Sequence, residues 1–390
     1  MISQQETGAF AERYRNDLLD DTVPFWLKNG LDSVHGGVLS SLTRDGAVLD
    51  SDKSVWAQGR FAWLLGTLAR TVEARSEWID AAESCLTFLD SHAFDRDGRM
   101  FFLLTQDGRP LRKRRYAFSE AFASMGHAAF ASVTGSDRNA AEAIRLFRAF
   151  TDHVAEPKSN QTTRPTKGIG PVMIGINVAQ TLRENLDFEE ATEQIDRWIA
   201  EIEADFFHPS RNCLLEVVTV DGAVVDHFDG RTLNPGHAIE AAWFILHEAR
   251  LRGRDAHLIE LGTRILDCMW ERGWDQTHGG LLYFTDLEGG SVQEYWHDMK
   301  FWWPHNEAVI ATLLAYHLTG EVRFAKRHRL VHDWAHENFA DPEFGEWFGY
   351  LHRDGSPSVK LKGNHWKGPF HVPRMQLYCW KLAEEMLGAM

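Results

Sequence analysis

Six times along this chain a helix-start signal precedes a long amphipathic run, at Val55, Tyr116, Pro171, Pro235, Pro304 and Pro373, about 55 to 69 residues apart. A repeat of that period marks an array of supersecondary units, because one unit alone cannot bury its apolar face. In the last four copies the signal is a proline, tolerated at the first helical position because its missing N–H has no intrahelical partner there. Ahead of five copies an apolar stretch is broken by a turn pair and then resumes. The turns are His35-Gly36-Gly37 with Asp45-Gly46, Asp97-Gly98 with Asp107-Gly108, Asn212 with Asp221-Gly222, His278-Gly279-Gly280 with Gly289-Gly290, and Gly345 with Asp354-Gly355. Each predicts a short hairpin. Residues 78–91, 140–154 and 188–206 read as outer helices between the hairpins. One hairpin plus two helices, six times over, predicts an all-α closed ring of six inner and six outer helices, with hairpins rimming one face.

The repeat runs through the 390 residues without a Pro/Ser-rich linker, so 1–390 is expected to form one domain. Fifteen tryptophans supply rings for a cavity wall as well as a core. A formal net charge of −15 with no compensating basic face argues against nucleic acid or an anionic membrane as partner. The basic run Arg112 to Arg115 follows a hairpin turn and reads as a solvated or structural loop. Residues 1–14 are polar, and no stretch has the roughly 18 apolar residues of a membrane span. Cys85, Cys213, Cys268 and Cys379 lie far apart in apolar patterns, so they read as structural thiols of a reducing, cytoplasmic compartment.

If the proline-type helices form the inner ring, their N-termini open on one face and their first turns are the place to look for chemistry. In Asn234-Pro235-Gly236-His237, Asn234 is a good N-cap and His237 falls in the first turn, where the helix dipole disfavours an imidazolium. His237 is therefore expected to stay neutral, with Glu240 one turn further on to orient it. In Phe301-Trp302-Trp303-Pro304-His305-Asn306-Glu307, two adjacent tryptophans cannot both face a core, so Trp302 or Trp303 should offer a ring to the cavity. Sugar rings stack on such faces. Glu307 and His305 are the polar candidates of that turn. In Phe370-His371-Val372-Pro373-Arg374, His371 should stand level with His237 on a helix a third of the way round the ring, which makes a two-base arrangement. Arg60, beside the apolar stripe of the first inner helix, is a surface cation or an oxyanion partner. Asn177 interrupts an apolar run on the third, as a buried amide or a ligand to hydroxyls. His332-Asp333-Trp334-Ala335-His336 has the i, i+4 histidines of a zinc helix, but Asp replaces the expected Glu and the segment falls on an outer helix. No metal is expected.

The stretches WAQGR at 56–60, NPGHAIEAAW at 234–243, WWPHNEA at 302–308, EFGEWFGYLHRDG at 343–355 and KGPFHVPR at 367–374 resemble the N-acylglucosamine 2-epimerase family, in the family's order and across most of the chain. The resemblance implies an (α/α)6 barrel and interconversion of N-acetylglucosamine with N-acetylmannosamine, or a related epimerisation or isomerisation of a free hexose or disaccharide. It carries the catalytic pair onto His237 and His371, with supporting positions at Arg60, Glu240, Glu307 and Asn177; Trp302, Trp303 and His305 stay candidate substrate contacts on the strength of their place at the helix start alone. No cofactor is implied for the chemistry, although ATP activates some relatives without being consumed. The segment from Glu156 to Gly170 holds Lys158, Arg164 and Lys167, a loop that is a candidate for such a nucleotide. A homodimer is implied by the family alone. The rivals are a glycoside hydrolase, which would need two acids across the bowl, and a non-catalytic binding protein.

Overall fold

The computed structural model describes residues 1–114, 116–155 and 164–388. Its helices are α1 (Gln4–Asn16), α2 (Val23–Asn29), α3 (Val55–Thr71), α4 (Ser76–His92), α5 (Phe118–Thr134), α6 (Asp137–Ala155), α7 (Ile169–Leu186), α8 (Glu190–Glu201), the single turn α9 (Phe228–Arg231), α10 (Pro235–Leu251), α11 (Ala256–Gly273), α12 (Trp302–Thr319), α13 (Val322–Asn338) and α14 (His371–Gly388). Helices α3, α5, α7, α10, α12 and α14 form the inner ring, and α1, α4, α6, α8, α11 and α13 lie outside it. The two classes differ in sequence for a physical reason. An inner helix packs on neighbours all round, so α12 is buried almost throughout, whereas α13 buries one stripe and leaves its charged face in water. The ring closes where α1 packs against α14.

Helix starts fall at Val55 and Pro235 as the sequence predicts, but the other proline helices begin two residues early. Pro171, Pro304 and Pro373 occupy the third helical position. The first four N–H groups of a helix all lack an intrahelical acceptor, so proline fits anywhere in that turn. The displacement has a consequence for function, because His371 becomes the first residue of α14 and not a residue outside it.

Four of the five predicted hairpins form at the helix N-terminal face as short antiparallel pairs, such as Leu103–Leu104 with Pro110–Arg112 and Tyr350–Leu351 with Pro357–Val359; in the fourth, Trp274 bridges Leu281 across the first turn, but Thr285–Asp286, before Gly289-Gly290, pairs with Thr232–Leu233 instead of with the segment that follows. Three are locked by a device no local pattern announces. Lys53, Lys300 and Lys362 have fully buried side chains, and each reaches an aspartate: Asp32 at 2.8 Å, Asp275 at 3.1 Å and Asp341 at 2.8 Å. Each ammonium also donates to a carbonyl of the first turn, at Gly36, Gly280 or Gly345. Burial pulls the Lys300 ammonium down to about 8 against the hold of Asp275.

The lock yields a stability test. Asp275 also receives Arg353 at 2.7 Å, so Asp275→Asn leaves two cations facing an uncharged amide, one of them fully buried. The variant is expected to lose about 3–5 kcal/mol of unfolding free energy, the range for breaking a buried pair. Urea denaturation measures it, and a loss below about 0.5 kcal/mol would show that the pair does not hold the hairpin.

Candidate active site

The N-terminal turns of the inner helices surround a cavity of about 520 Å3, walled by aromatic rings. His237 enters it from the first turn of α10, where Asn234 Oδ1 accepts the His237 backbone N–H at 3.2 Å and Pro235 takes the first position. Its Nδ1 lies 2.9 Å from the Glu216 carboxylate, which comes from the hairpin between α8 and α10. That contact assigns the ring proton to Nδ1 and leaves Nε2 for the cavity. His371 enters from the first residue of α14 and has its Nδ1 2.7 Å from Glu307 Oε1, so here too Nε2 is left over. The Trp303 ring stands between the two, with centroids 4.9 Å from His237 and 6.0 Å from His371.

Beneath the histidines runs a charge clamp. Arg374 Nη2 is 2.5 Å from Glu240 Oε1 and 2.7 Å from Glu307 Oε1, and Nη1 is 3.5 Å from Asn177 Oδ1. Glu307 Oε2 accepts the Trp243 indole N–H at 2.7 Å. Glu240, Glu307 and His371 stand close enough to ligate a cation, and the cation they hold is the Arg374 guanidinium. Arg60 is different. It lies among the rings of Phe122, Phe370 and Trp56 and forms no ion pair among the described residues, and burial pulls its guanidinium down to about 9.

The clamp splits the two imidazoles. Burial, then the positive charges of Arg374 and Arg60, hold the His371 pKa well below its ordinary value, so it is neutral. Burial opposes a proton on His237 as well, but Glu216, with Glu240 and Glu307 behind it, outweighs that and raises its pKa. The pull of the helix dipole on His237 toward the neutral form is therefore outweighed, since a full charge in contact exceeds the half charge of a helix end.

Of the residues singled out by sequence, His237, His371, Arg60, Glu240, Asn177, Trp302 and Trp303 line the cavity. Glu240 is turned to Arg374 and is not the partner of His237; Glu216 has that place. Glu307 lies behind His371 and not on the cavity wall. His305 does not reach the cavity either, because its Nε2 accepts the Leu281 N–H at 2.8 Å and its ring stacks on Trp334 of the outer helix. It joins a hairpin to the barrel and is uncharged, with burial pulling its pKa down to about 3. In the loop set aside for a nucleotide, Lys158 lies outside the described residues, Lys167 is bound by Glu201 and Asp205, and the exposed Arg164 faces Asp229 at 3.8 Å. His332 is on outer helix α13, hydrogen-bonded to the Tyr14 hydroxyl at 2.7 Å. Lys113 and Arg114 of the basic run serve a hairpin acid pair and the Trp366 ring, which is a structural role.

Sequence reasoning missed Glu216, Arg374 and the rim rings of Tyr283, Trp296, Tyr350 and Trp366. Arg374 had a signal, standing three residues after His371 on the same helical face. Glu216 had none, being one acid of a hairpin among many.

A ring of helix pairs whose first turns bring paired imidazoles, a cation and indole walls into one bowl defines a sugar-converting (α/α)6 barrel. The sequence pattern of the N-acylglucosamine 2-epimerase (GlcNAc 2-epimerase) family matches residues 37–372. The N-acylglucosamine 2-epimerase of Bos taurus is 36% identical over all of this chain and 94% of its own length. The cellobiose 2-epimerase of Bacteroides fragilis is 24% identical over 93% of this chain and 97% of its own. Among solved structures, cellobiose 2-epimerase from Spirochaeta thermophila superposes with a TM-score of 0.83 at 22% identity, covering 98% of each chain. The chain belongs to the N-acylglucosamine 2-epimerase family and is a carbohydrate epimerase.

The Glu216 contact predicts a pH effect. Removing its charge by Glu216→Gln lowers the His237 pKa, so at any pH a smaller fraction is protonated. The limb of the pH–rate profile that reports His237 is expected to move to lower pH, with kcat reduced and KM little changed. An unshifted limb would show that Glu216 does not govern His237.

Proposed function

We propose that the protein interconverts N-acetylglucosamine and N-acetylmannosamine, with His237 and His371 as the two bases. The observation that carries the chemistry is the pair of imidazoles flanking Trp303, each with Nδ1 held by a carboxylate and Nε2 left for substrate. The choice of sugar is supported by the higher identity with N-acylglucosamine enzymes than with the cellobiose enzyme.

Inversion at C2 needs the open-chain aldose, in which the C1 carbonyl makes the C2 hydrogen acidic. Neutral His371 Nε2 takes that proton, and the C2–H electron pair moves into the C1–C2 bond and onto O1. Arg60, a cation with no carboxylate of its own, stabilises the developing charge on O1. Protonated His237 delivers a proton to C2 from the opposite face and the carbonyl re-forms. The enzyme is left with the proton on His371, and the reverse reaction starts from that form. Neither step consumes a cofactor. Glu216 and Glu307 are positioning residues, fixing the tautomer of each base, while Glu216 raises the His237 pKa and burial with Arg374 lowers that of His371. ATP activation is not part of the proposal, since Lys167 and Arg164 already face carboxylates.

Isotope exchange tests the two-base step. Product formed in D2O carries deuterium at C2 from the first turnover, because the proton removed by one histidine is not the one returned by the other. Early product without solvent deuterium, formed at the normal rate, would overturn the assignment, and deuterium at C1 of a ketose would move the reaction to isomerisation. Single variants sharpen it: His237→Asn and His371→Asn abolish conversion with circular dichroism unchanged, and Arg60→Met lowers kcat by about 10²–10³, as for loss of an oxyanion contact.

A further inference from the structure

One wall of the catalytic cavity has no part in the proton transfer. It belongs to α7, which stands between α5 and α10 and turns Met173, Ile174 and Asn177 to the cavity. Their i, i+3 and i, i+4 spacing sets the Asn177 amide one turn deeper than the two apolar side chains, on the same helical face. Asn177 Oδ1 faces the Arg374 guanidinium at 3.5 Å, and a guanidinium can only donate, so Nδ2 is turned the other way. That Nδ2 donates to no protein atom among the described residues and is not sealed from solvent.

The two-base step restricts where each substituent of C2 can go. His237 and His371 work on opposite faces of a planar C2, so C1, C3 and the 2-substituent all leave it in the plane between the imidazoles. Trp303 closes that plane on the α12 side, with ring centroids 4.9 Å from His237 and 6.0 Å from His371. O1 is drawn to Arg60 on α3. The branch from C3 to C6 is the longest and needs the open mouth, where Tyr350 and Trp366 form the rim. The 2-substituent is left with the α7 wall.

That wall does not suit a hydroxyl. A 2-hydroxyl would accept from Asn177 Nδ2 but leave Met173 and Ile174 facing a polar group or empty space. An acetamido group answers all three side chains, its carbonyl oxygen accepting from Nδ2 and its methyl lying on Met173 and Ile174. We propose that Met173, Ile174 and Asn177 form an acylamide subsite, through which the enzyme selects 2-acylamino sugars over sugars with a free 2-hydroxyl. The assignment rests on the reading of His237 and His371 as the two bases. Because the acetamido group is held in the ground state and in the enolate alike, the subsite acts on sugar affinity more than on kcat.

The probes are 2-acetamido-2-deoxymannitol and mannitol, open-chain alditols that lack the C1 carbonyl and cannot be epimerised. Isothermal titration of the wild-type protein is expected to show the acetamido alditol binding about tenfold or more tighter, since one methyl in an apolar pocket is worth roughly 10–200-fold. Asn177→Ala is expected to lower that ratio about fivefold and, with N-acetylmannosamine as substrate, to raise KM far more than it lowers kcat. Ile174→Phe fills the space for the methyl and lowers the ratio at least as much. A variant that only loosened the barrel would weaken both alditols together and leave the ratio where it was. Equal affinities in the wild type, or a ratio that either variant leaves unchanged, overturns the subsite. Conversion of N-acetylmannosamine by the wild type is measured separately. Preference for the acetamido alditol without conversion sinks the epimerase reading and keeps the subsite, whereas conversion with equal alditol affinities keeps the reading and sinks the subsite.

Discussion

Arg374 is the interaction on which the rest of the site depends. A guanidinium removed from water is costly by itself, and two buried carboxylates from two other helices make it tolerable here. The arrangement ties α14 to α10 and α12 and, through Asn177, reaches α7, so four of the inner helices are registered by one side chain. The same charges set the proton states above them. Burial and then Arg374 hold the His371 pKa down, whereas carboxylates outweigh burial at His237 and raise its pKa. One buried pattern thus pushes the pKa values of two chemically identical imidazoles in opposite directions.

The hairpins do more than connect helices. Buried lysine–aspartate pairs fix three of them on the barrel, beside the rim rings of Tyr283, Tyr350 and Trp366, and the hairpin between α8 and α10, which has no such pair among the described residues, supplies Glu216. The division of labour follows from geometry. Helix N-termini converge and deliver short, well-placed side chains to the floor, while hairpins stand above them and build walls. Polar groups thus lie below and apolar faces around the edge of the cavity.

Much of this was legible without coordinates. The helical period, proline in first turns and Gly-rich turn pairs are local signals, and they placed the inner helices within two residues and four of the five hairpins correctly; at Gly289-Gly290 a distant strand, Thr232–Leu233, takes the place of the local partner. They also brought His237 and His371 to one level. The errors share a cause. Glu240 was read as the partner of His237 because it lies one turn away on the same helix, yet it bonds Arg374, 134 residues further on. His305 and Glu307 were read as facing the cavity because they share a first turn with Trp303. Two positions apart on α12 they point nearly opposite ways, one against an outer helix and the other behind His371.

The sequence by itself determined the ring of helix pairs, the face on which the helix N-termini open and the presence of two histidines there, because periodicity and chain punctuation are properties of neighbouring residues. Only the tertiary structure decided which carboxylate holds which imidazole, and that Arg374 is committed to carboxylates while Arg60 lies among aromatic rings. Those outcomes depend on charges that meet across the closed ring, at separations where the order of residues along the chain carries no distance.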